Sequence, residues 1–125
     1  MLSGVTVVAM IFAGLAGVFH LLIFVMESLL FSRPTVYRRF LVEPEALEGV
    51  RPWALNQGFY NLFLGLGALG GLASWDGPGQ PVSLFACGCM AGAAVVLLST
   101  DRRLVRPALL QGVPPLLALA AASIA

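Results

Sequence analysis

The chain has 125 residues, 59% of them hydrophobic and only 10% charged, with a formal net charge of +1. A soluble domain carries about 25% charged and 45–50% apolar residues, so this composition is that of an integral membrane protein and leaves no room for a soluble domain. The near-neutral balance offers no basic surface for nucleic acid.

The first element is an apolar run from Gly4 to Phe31. Crossing the hydrocarbon takes about 20 apolar residues, so the run predicts a spanning helix. It lacks the basic start of a signal peptide and exceeds the usual apolar core of one, about 7–15 residues, so it is expected to stay in the mature protein. Ser32–Pro52 follows as the only long loop. Within it Val36, Phe40 and Leu41 share a helical face, with Arg38 and Arg39 on the other, and Glu43-Pro44-Glu45 reads as a second helix start before Ala46, Leu47 and Val50. This predicts a short amphipathic segment lying at the headgroups, with a lid over a cytoplasmic entrance as the functional alternative. A second span is predicted over Trp53–Trp75, with a tryptophan at each end at headgroup level. The turn Asp76-Gly77-Pro78-Gly79-Gln80-Pro81 is too short to hold more structure. A third span is predicted over Val82–Ser99 and a fourth over Pro107–Ile124, where Pro107 opens the helix because its missing N–H costs nothing there. Pro114-Pro115 should kink the fourth span or widen one of its turns. The fold expected is all-α: one membrane domain over residues 1–125, a four-helix bundle with a short cytoplasmic amphipathic segment between helices one and two.

Arginine sets the orientation, since there is no lysine. Arg33, Arg38, Arg39 and Arg51 lie between spans one and two, and Arg102, Arg103 and Arg106 between spans three and four. All seven basic residues thus fall on one side, which the positive-inside rule places in the cytoplasm, with both termini outside. Ala13 with Gly17, Gly67 with Gly71, and Gly88 with Gly92 fit the small-xxx-small pattern of close helix packing, within the bundle or across a homodimer. Cys87 and Cys89 sit in an apolar run on different helix faces and read as packing residues rather than a disulfide or metal pair.

Polar residues inside the spans carry the functional signal. Glu27 is the one carboxylate within an apolar run. Placing a charge at a helix centre in the bilayer costs roughly 2.5–3.5 kcal/mol on insertion scales, so such residues mark functional sites by default. His20 lies two turns away on the same face, about 10 Å along the axis. The second span, running the opposite way, carries Asn56, Gln57, Tyr60 and Asn61 in its first turns. Depth counting puts Gln57 near the level of Glu27 and Asn61 between Glu27 and His20. Gln111 lies about one turn into span four from the same side. The outer half is nearly featureless. A structural reading has this cluster stitching helices together. That return is small, since interhelical hydrogen bonds in membranes average about 0.6 kcal/mol. A functional reading has it line a pocket open to the cytoplasm or the inner leaflet.

His20, Glu27, Arg33-Pro34, Phe40 and the run Asn56-Gln57-Gly58-Phe59-Tyr60-Asn61 resemble the family called domain of unknown function 1304, small bacterial four-span membrane proteins. Leu110-Gln111-Gly112-Val113-Pro114 resembles that family's Gln-Gly-x-Pro segment. The resemblance covers nearly the whole chain. Where the family tends to carry Ala-Gly-x-x-Gly before a Thr, this chain reads Ala91-Gly92-Ala93-Ala94-Val95, without the second glycine. The resemblance implies that His20, Glu27, Asn56, Gln57, Tyr60, Asn61 and Gln111 form one set, and a location in the bacterial inner membrane. It implies no activity.

Three functions are therefore expected to compete. The first is an enzyme of the isomerase, cyclase or epoxide-opening type acting on a membrane lipid or lipophilic small molecule. Glu27, His20 and Tyr60 would be its acid–base groups, and Asn56, Gln57, Asn61 and Gln111 would orient the substrate. No cofactor is expected: one His with one Glu falls short of the three protein ligands of a usual catalytic zinc site, and no Gly-rich nucleotide motif is present. The second is a small proton-coupled transporter, for which an intramembrane Glu is a usual proton carrier. The third is a structural or accessory subunit.

Overall fold

The computed structural model describes residues 1–125 and is all-helical. Ser3 opens helix α1 (Gly4–Phe24), its hydroxyl accepting the Thr6 amide at 3.1 Å, so one otherwise unpaired first-turn N–H is satisfied. The helix does not run straight to Phe31: Val25–Leu29 form a π-helical turn. A short helix α2 (Pro34–Tyr37) follows, started by Pro34 at a position that needs no N–H, and tightens into a 3₁₀ turn at Arg38–Phe40. Helix α3 (Leu47–Leu72) is entered through a 3₁₀ turn at Pro44–Ala46. Helix α4 (Gly79–Thr100) and helix α5 (Val105–Ile124) complete the chain.

Three of these helical stretches, Gly4–Leu29, Gly79–Thr100 and Arg102–Ile124, are long and apolar enough to cross a membrane. Helix α3, at 26 residues, is as long as the first of these stretches but is not among them. It carries Asn56, Gln57 and Asn61 together with Gly49, Gly58, Gly65, Gly67, Gly70 and Gly71, residues that lower its apolar average.

Each long helix packs against two others, in the cyclic order α1, α3, α4, α5. Antiparallel neighbours bring the two arginine-bearing connections, Leu30–Ala46 and Asp101–Leu104, to one end. The inward stripe of α1 is Ala9, Ala13, Ala16, Gly17, His20 and Ile23, the three-and-four spacing of a helix face. That of α3 is Ala54, Gly58, Asn61, Gly65 and Ala68. Small residues on both let the backbones close up: a Cβ on Gly17 would sit 2.7 Å from Leu69, and one on Gly65 only 2.9 Å from the Gly17 carbonyl oxygen. Gly71 lies against Gly79 and Ser83 of α4, and the Ser83 hydroxyl crosses to the Ala68 carbonyl at 2.8 Å. Helix α5 meets α4 where a Cβ on Gly112 would lie 2.7 Å from Ala94, so a close crossing survives without a second glycine on α4. At the opposite turn Asp101 accepts from the Arg103 side chain and amide; these hydrogen bonds hold its carboxyl below the usual carboxylate range.

Several local expectations change. Val36 is buried and Phe40 packs on Phe31, with ring centroids 5.5 Å apart. Leu41 does not continue their face: at φ 60° it takes the left-handed conformation, ends the 3₁₀ turn and is exposed. The segment folds onto the ends of α1 and α3 around Phe31, Val36, Tyr37 and Ala54 instead of lying as one amphipathic helix. The second long helix starts at Leu47, with Pro52 inside it, six residues before the Trp53 expected. Trp53 is exposed, but Trp75 is only 5% exposed and packs with Ala9, Ala13, Cys87 and Ala118. The turn after it, closed by the Gly77 and Gly79 amides on the Ser74 carbonyl, folds the indole back into the interior. Pro114 and Pro115 leave α5 helical throughout, with Pro115 buried against its neighbours; the widened turn lies in α1. Gly88 and Gly92 touch nothing within 4 Å of an added Cβ, so their face lies outside the packing of this chain.

Gly65→Ala should therefore lower stability by about 1–3 kcal/mol, the usual range for overpacking. Gly88→Ala should leave it unchanged or slightly raised. Thermal unfolding of both variants in detergent checks the contrast, and equal effects would contradict the packing described.

Candidate functional site

The site starts from the π turn. The Leu30 amide bonds the Val25 carbonyl five residues back at 2.9 Å, one residue wider than an α-helical turn, a distortion frequent at functional sites. Glu27 sits in the middle of it and is 8% exposed. It faces Asn61 of α3, which is equally buried. Asn61 Nδ2 donates to Glu27 Oε1 at 2.6 Å and to the Gln57 carbonyl at 3.1 Å. An amide nitrogen has two protons, so both are used: one ties α3 to α1, the other anchors the side chain to its own helix. Ser28 adds a second tie, donating to the Leu55 carbonyl at 3.0 Å. Gly58 makes room for both. A Cβ there would run into the Ser28 hydroxyl and lie 3.1 Å from Glu27 Cβ.

His20 is fully buried. Its Nδ1 lies 2.8 Å from the Ala16 carbonyl. A carbonyl only accepts, so Nδ1 carries the proton, and a neutral ring then presents Nε2 as an acceptor. Nε2 meets no partner in the protein. Gln111 is level with it: Ala13 and Ala118 share a cluster, and seven residues from each, towards the arginine-bearing end of these antiparallel helices, lie His20 and Gln111. Gln111 is half-buried and makes no side-chain hydrogen bond.

A cleft of about 550 Å³ opens at the arginine-bearing end, within the usual size range of small-molecule sites. Glu27 lines it, with Ser28 and Ser32 beside it and Glu48 and Arg51 across it on the first turns of α3. Phe31 and Leu55 supply apolar wall. The protein's one ion pair is Arg103–Asp101, so Glu48 and Arg51 are both unpaired. No three His, Cys, Asp or Glu side chains gather anywhere in a metal-binding group.

Of the residues singled out from the sequence, Glu27 and Asn61 meet directly, and Gln57 joins them through its backbone carbonyl. Asn56 and the Gln57 side chain are on the exposed side of α3, and Tyr60 is 57% exposed. None of these three lines the cleft, nor do His20 and Gln111. Ser28, Ser32, Glu48 and Arg51 were not anticipated. Glu48 and Arg51 read as loop charges in the sequence, because nothing in their spacing relates them to Glu27. Only the early start of α3 carries them to the cleft.

Residues 5–123 match the family described as protein of unknown function (DUF1304). The chain belongs to this family. No curated protein and no solved structure matches it. The DUF1304 match spans every element that builds the site, from α1 through α5.

Asn61→Leu should cost about 1–3 kcal/mol by leaving the buried Glu27 oxygen without its donor. Glu27→Gln, which keeps an acceptor oxygen facing Asn61, should cost less than half as much. Unfolding of the two variants in mixed micelles would separate them, and a larger loss for Glu27→Gln would refute the pairing.

Proposed function

We propose that this DUF1304 protein is a four-span bundle of the bacterial inner membrane, with both arginine-bearing connections and the α2 segment in the cytoplasm and both termini outside. In it a cytoplasm-facing pocket admits a membrane lipid or lipophilic small molecule from the inner leaflet. The reading is carried by one observation: Glu27, the only carboxylate of the apolar runs, is at once buried, held by a neutral amide and part of the wall of a cleft. A carboxyl used only to join helices would gain as much from an uncharged amide and would have no cause to border a cavity.

The chemistry these residues suit is acid–base catalysis without a cofactor: isomerisation, cyclisation or epoxide opening. Glu27 gives or takes the proton at the reacting atom, with Asn61 fixing the oxygen that does not. A group within hydrogen-bond reach that is preoriented in this way contributes typically 10²–10⁴-fold. His20 Nε2, an acceptor without a partner, serves as second base or as orienter deeper in the bundle. Gln111, half-buried and level with His20, would orient the substrate's polar group deeper in the bundle, whereas Asn56, Gln57 and Tyr60 face outward and could meet it only on its way in.

A transporter needs a route to the other side. The opposite end is filled by Trp75 among Ala9, Ala13, Cys87 and Ala118, which counts against that reading. A scaffold role has one observation in its favour, the Asn61 amide that joins α1 to α3. Gly88 and Gly92, open to the outside, offer the face for a homodimer.

Infrared difference spectra between the wild type and Glu27→Gln should contain a carboxyl band that moves when a lipophilic ligand is added to the protein in nanodiscs. A band insensitive to every lipid extract would favour the scaffold. Reporter enzymes fused after Ala125 and inserted at Arg39 should report opposite sides of the membrane, Ala125 outside and Arg39 inside. Agreement between the two reporters would sink the four-span arrangement.

A further inference from the structure

The polar lining of the Glu27 cleft carries a charge pattern that points to a particular kind of headgroup, an inference that rests on the pocket reading above. Two features are independent of Glu27. Glu48 and Arg51 lie one turn apart on α3 and both line the cleft. Yet they do not pair with each other or with any other charge, since Arg103–Asp101 is the only ion pair formed. Glutamate and a cation three residues apart on a helix ordinarily lean together. Here they form no ion pair and give the cleft wall one anionic and one cationic side chain.

The apolar surroundings indicate how a ligand would lie. Leu29 and Leu55 border the cleft and are 64% and 48% exposed. Beyond them along the seam of α1 and α3 lies the edge-on pair Phe24 and Phe59, ring centroids 5.2 Å apart. An apolar chain laid along this seam would remain in the hydrocarbon while its head reached the cleft. Ser28, whose hydroxyl is already spent on the Leu55 carbonyl, and Ser32 keep the floor polar without adding charge.

We propose that the cleft binds the headgroup of a zwitterionic aminophospholipid, with the phosphate on the Arg51 guanidinium and the primary ammonium on the Glu48 carboxylate. A guanidinium presents a planar fork of N–H donors that matches a phosphate's oxygens. An ammonium offers three N–H donors to carboxylates, whereas a quaternary ammonium offers none, so the cleft discriminates by donor count. A head carrying phosphate alone meets Glu48 as a like charge. The glycerol and ester region then falls next to Glu27, the group the proposed chemistry uses.

The full-length protein in a neutral maltoside detergent, titrated with dihexanoyl phospholipids while Trp53 fluorescence is followed, tests this. Trp53 is exposed and adjoins the cleft residue Pro52. Phosphatidylethanolamine should bind at least about tenfold more tightly than phosphatidylcholine or phosphatidylglycerol, the effect of one charge-assisted hydrogen bond. Glu48→Gln and Arg51→Gln, both at exposed positions that leave the fold alone, should each remove about that factor. Equal binding of all three lipids, untouched by these two variants but lost in Glu27→Gln, would overturn the headgroup assignment and leave the pocket standing. Tightest binding of phosphatidylglycerol, dependent on Arg51 alone, would replace it with an anionic head. Free phosphoethanolamine binding as tightly as the lipid would move the source from the bilayer to the cytosol and overturn the lipid proposal. Binding of none of these probes, nor of a neutral monoacylglycerol, in any manner dependent on Glu27 would remove the pocket reading as well.

Discussion

The approach of α1 to α3 is the contact on which the rest depends. Gly17 and Gly65 meet backbone to backbone, and about two turns away on α3 Gly58 lies under the π turn at Glu27. Lipid chains are as apolar as leucine, so burial of apolar area does not hold membrane helices together; close van der Waals packing and interhelical hydrogen bonds do. The glycines supply the first and thereby permit the second. With any side chain at position 58, Ser28 and Glu27 would be displaced. The 2.6 Å bond from Asn61 to Glu27 and the Ser28 bond to Leu55 would then lengthen together. The π turn belongs to the same device. It widens the helix by one residue and brings Glu27 and Ser28, neighbours in sequence, both onto α3.

The two ends of the molecule are built differently. Away from the arginines, alanines pack tightly and Trp75 closes the interior. The next layer holds Ala16, Ala68, Ala86 and Met90, with the buried Ser83 hydroxyl bonded to the Ala68 carbonyl. Towards the arginines the packing changes to Phe31, Tyr37 and Phe40 from a folded connection. Charged and hydroxyl groups collect around the cleft at this end. The arrangement follows from the cost of unpaired polar groups in hydrocarbon: a cleft with charged walls is tolerable at one end and not in the middle. Two buried nitrogens are exceptions: His20 Nε2, an acceptor without a donor, and Trp75 Nε1, a donor without an acceptor at the other end.

Family membership, helicity and membrane character were legible in the sequence because each rests on composition and local pattern. Apolar runs of spanning length predict helices, and the spacing of Ala13, Gly17 and His20 predicts a face. Glu27 was legible because a carboxylate in such a run is costly wherever the neighbours lie. Asn61 could be grouped with it by counting residues from a common end, which works because helices rise by a constant step.

Tertiary structure alone decided the rest. No local pattern announces that the helix widens at Val25–Leu29, where Glu27 and Ser28 bond to α3. Trp75 reads as a headgroup anchor from its place at the end of a run, yet the tight turn at Ser74–Gly79 directs it inward. Leu41 reads as part of an amphipathic face, but the chain must reverse there to reach α3. Glu48 and Arg51 read as solvated loop charges and become the wall of a cleft once α3 begins at Leu47. The sequence by itself determined which residues are too costly to be in the membrane without a reason. Which of them meet depended on helix approach, and that is set by contacts between residues far apart in the chain.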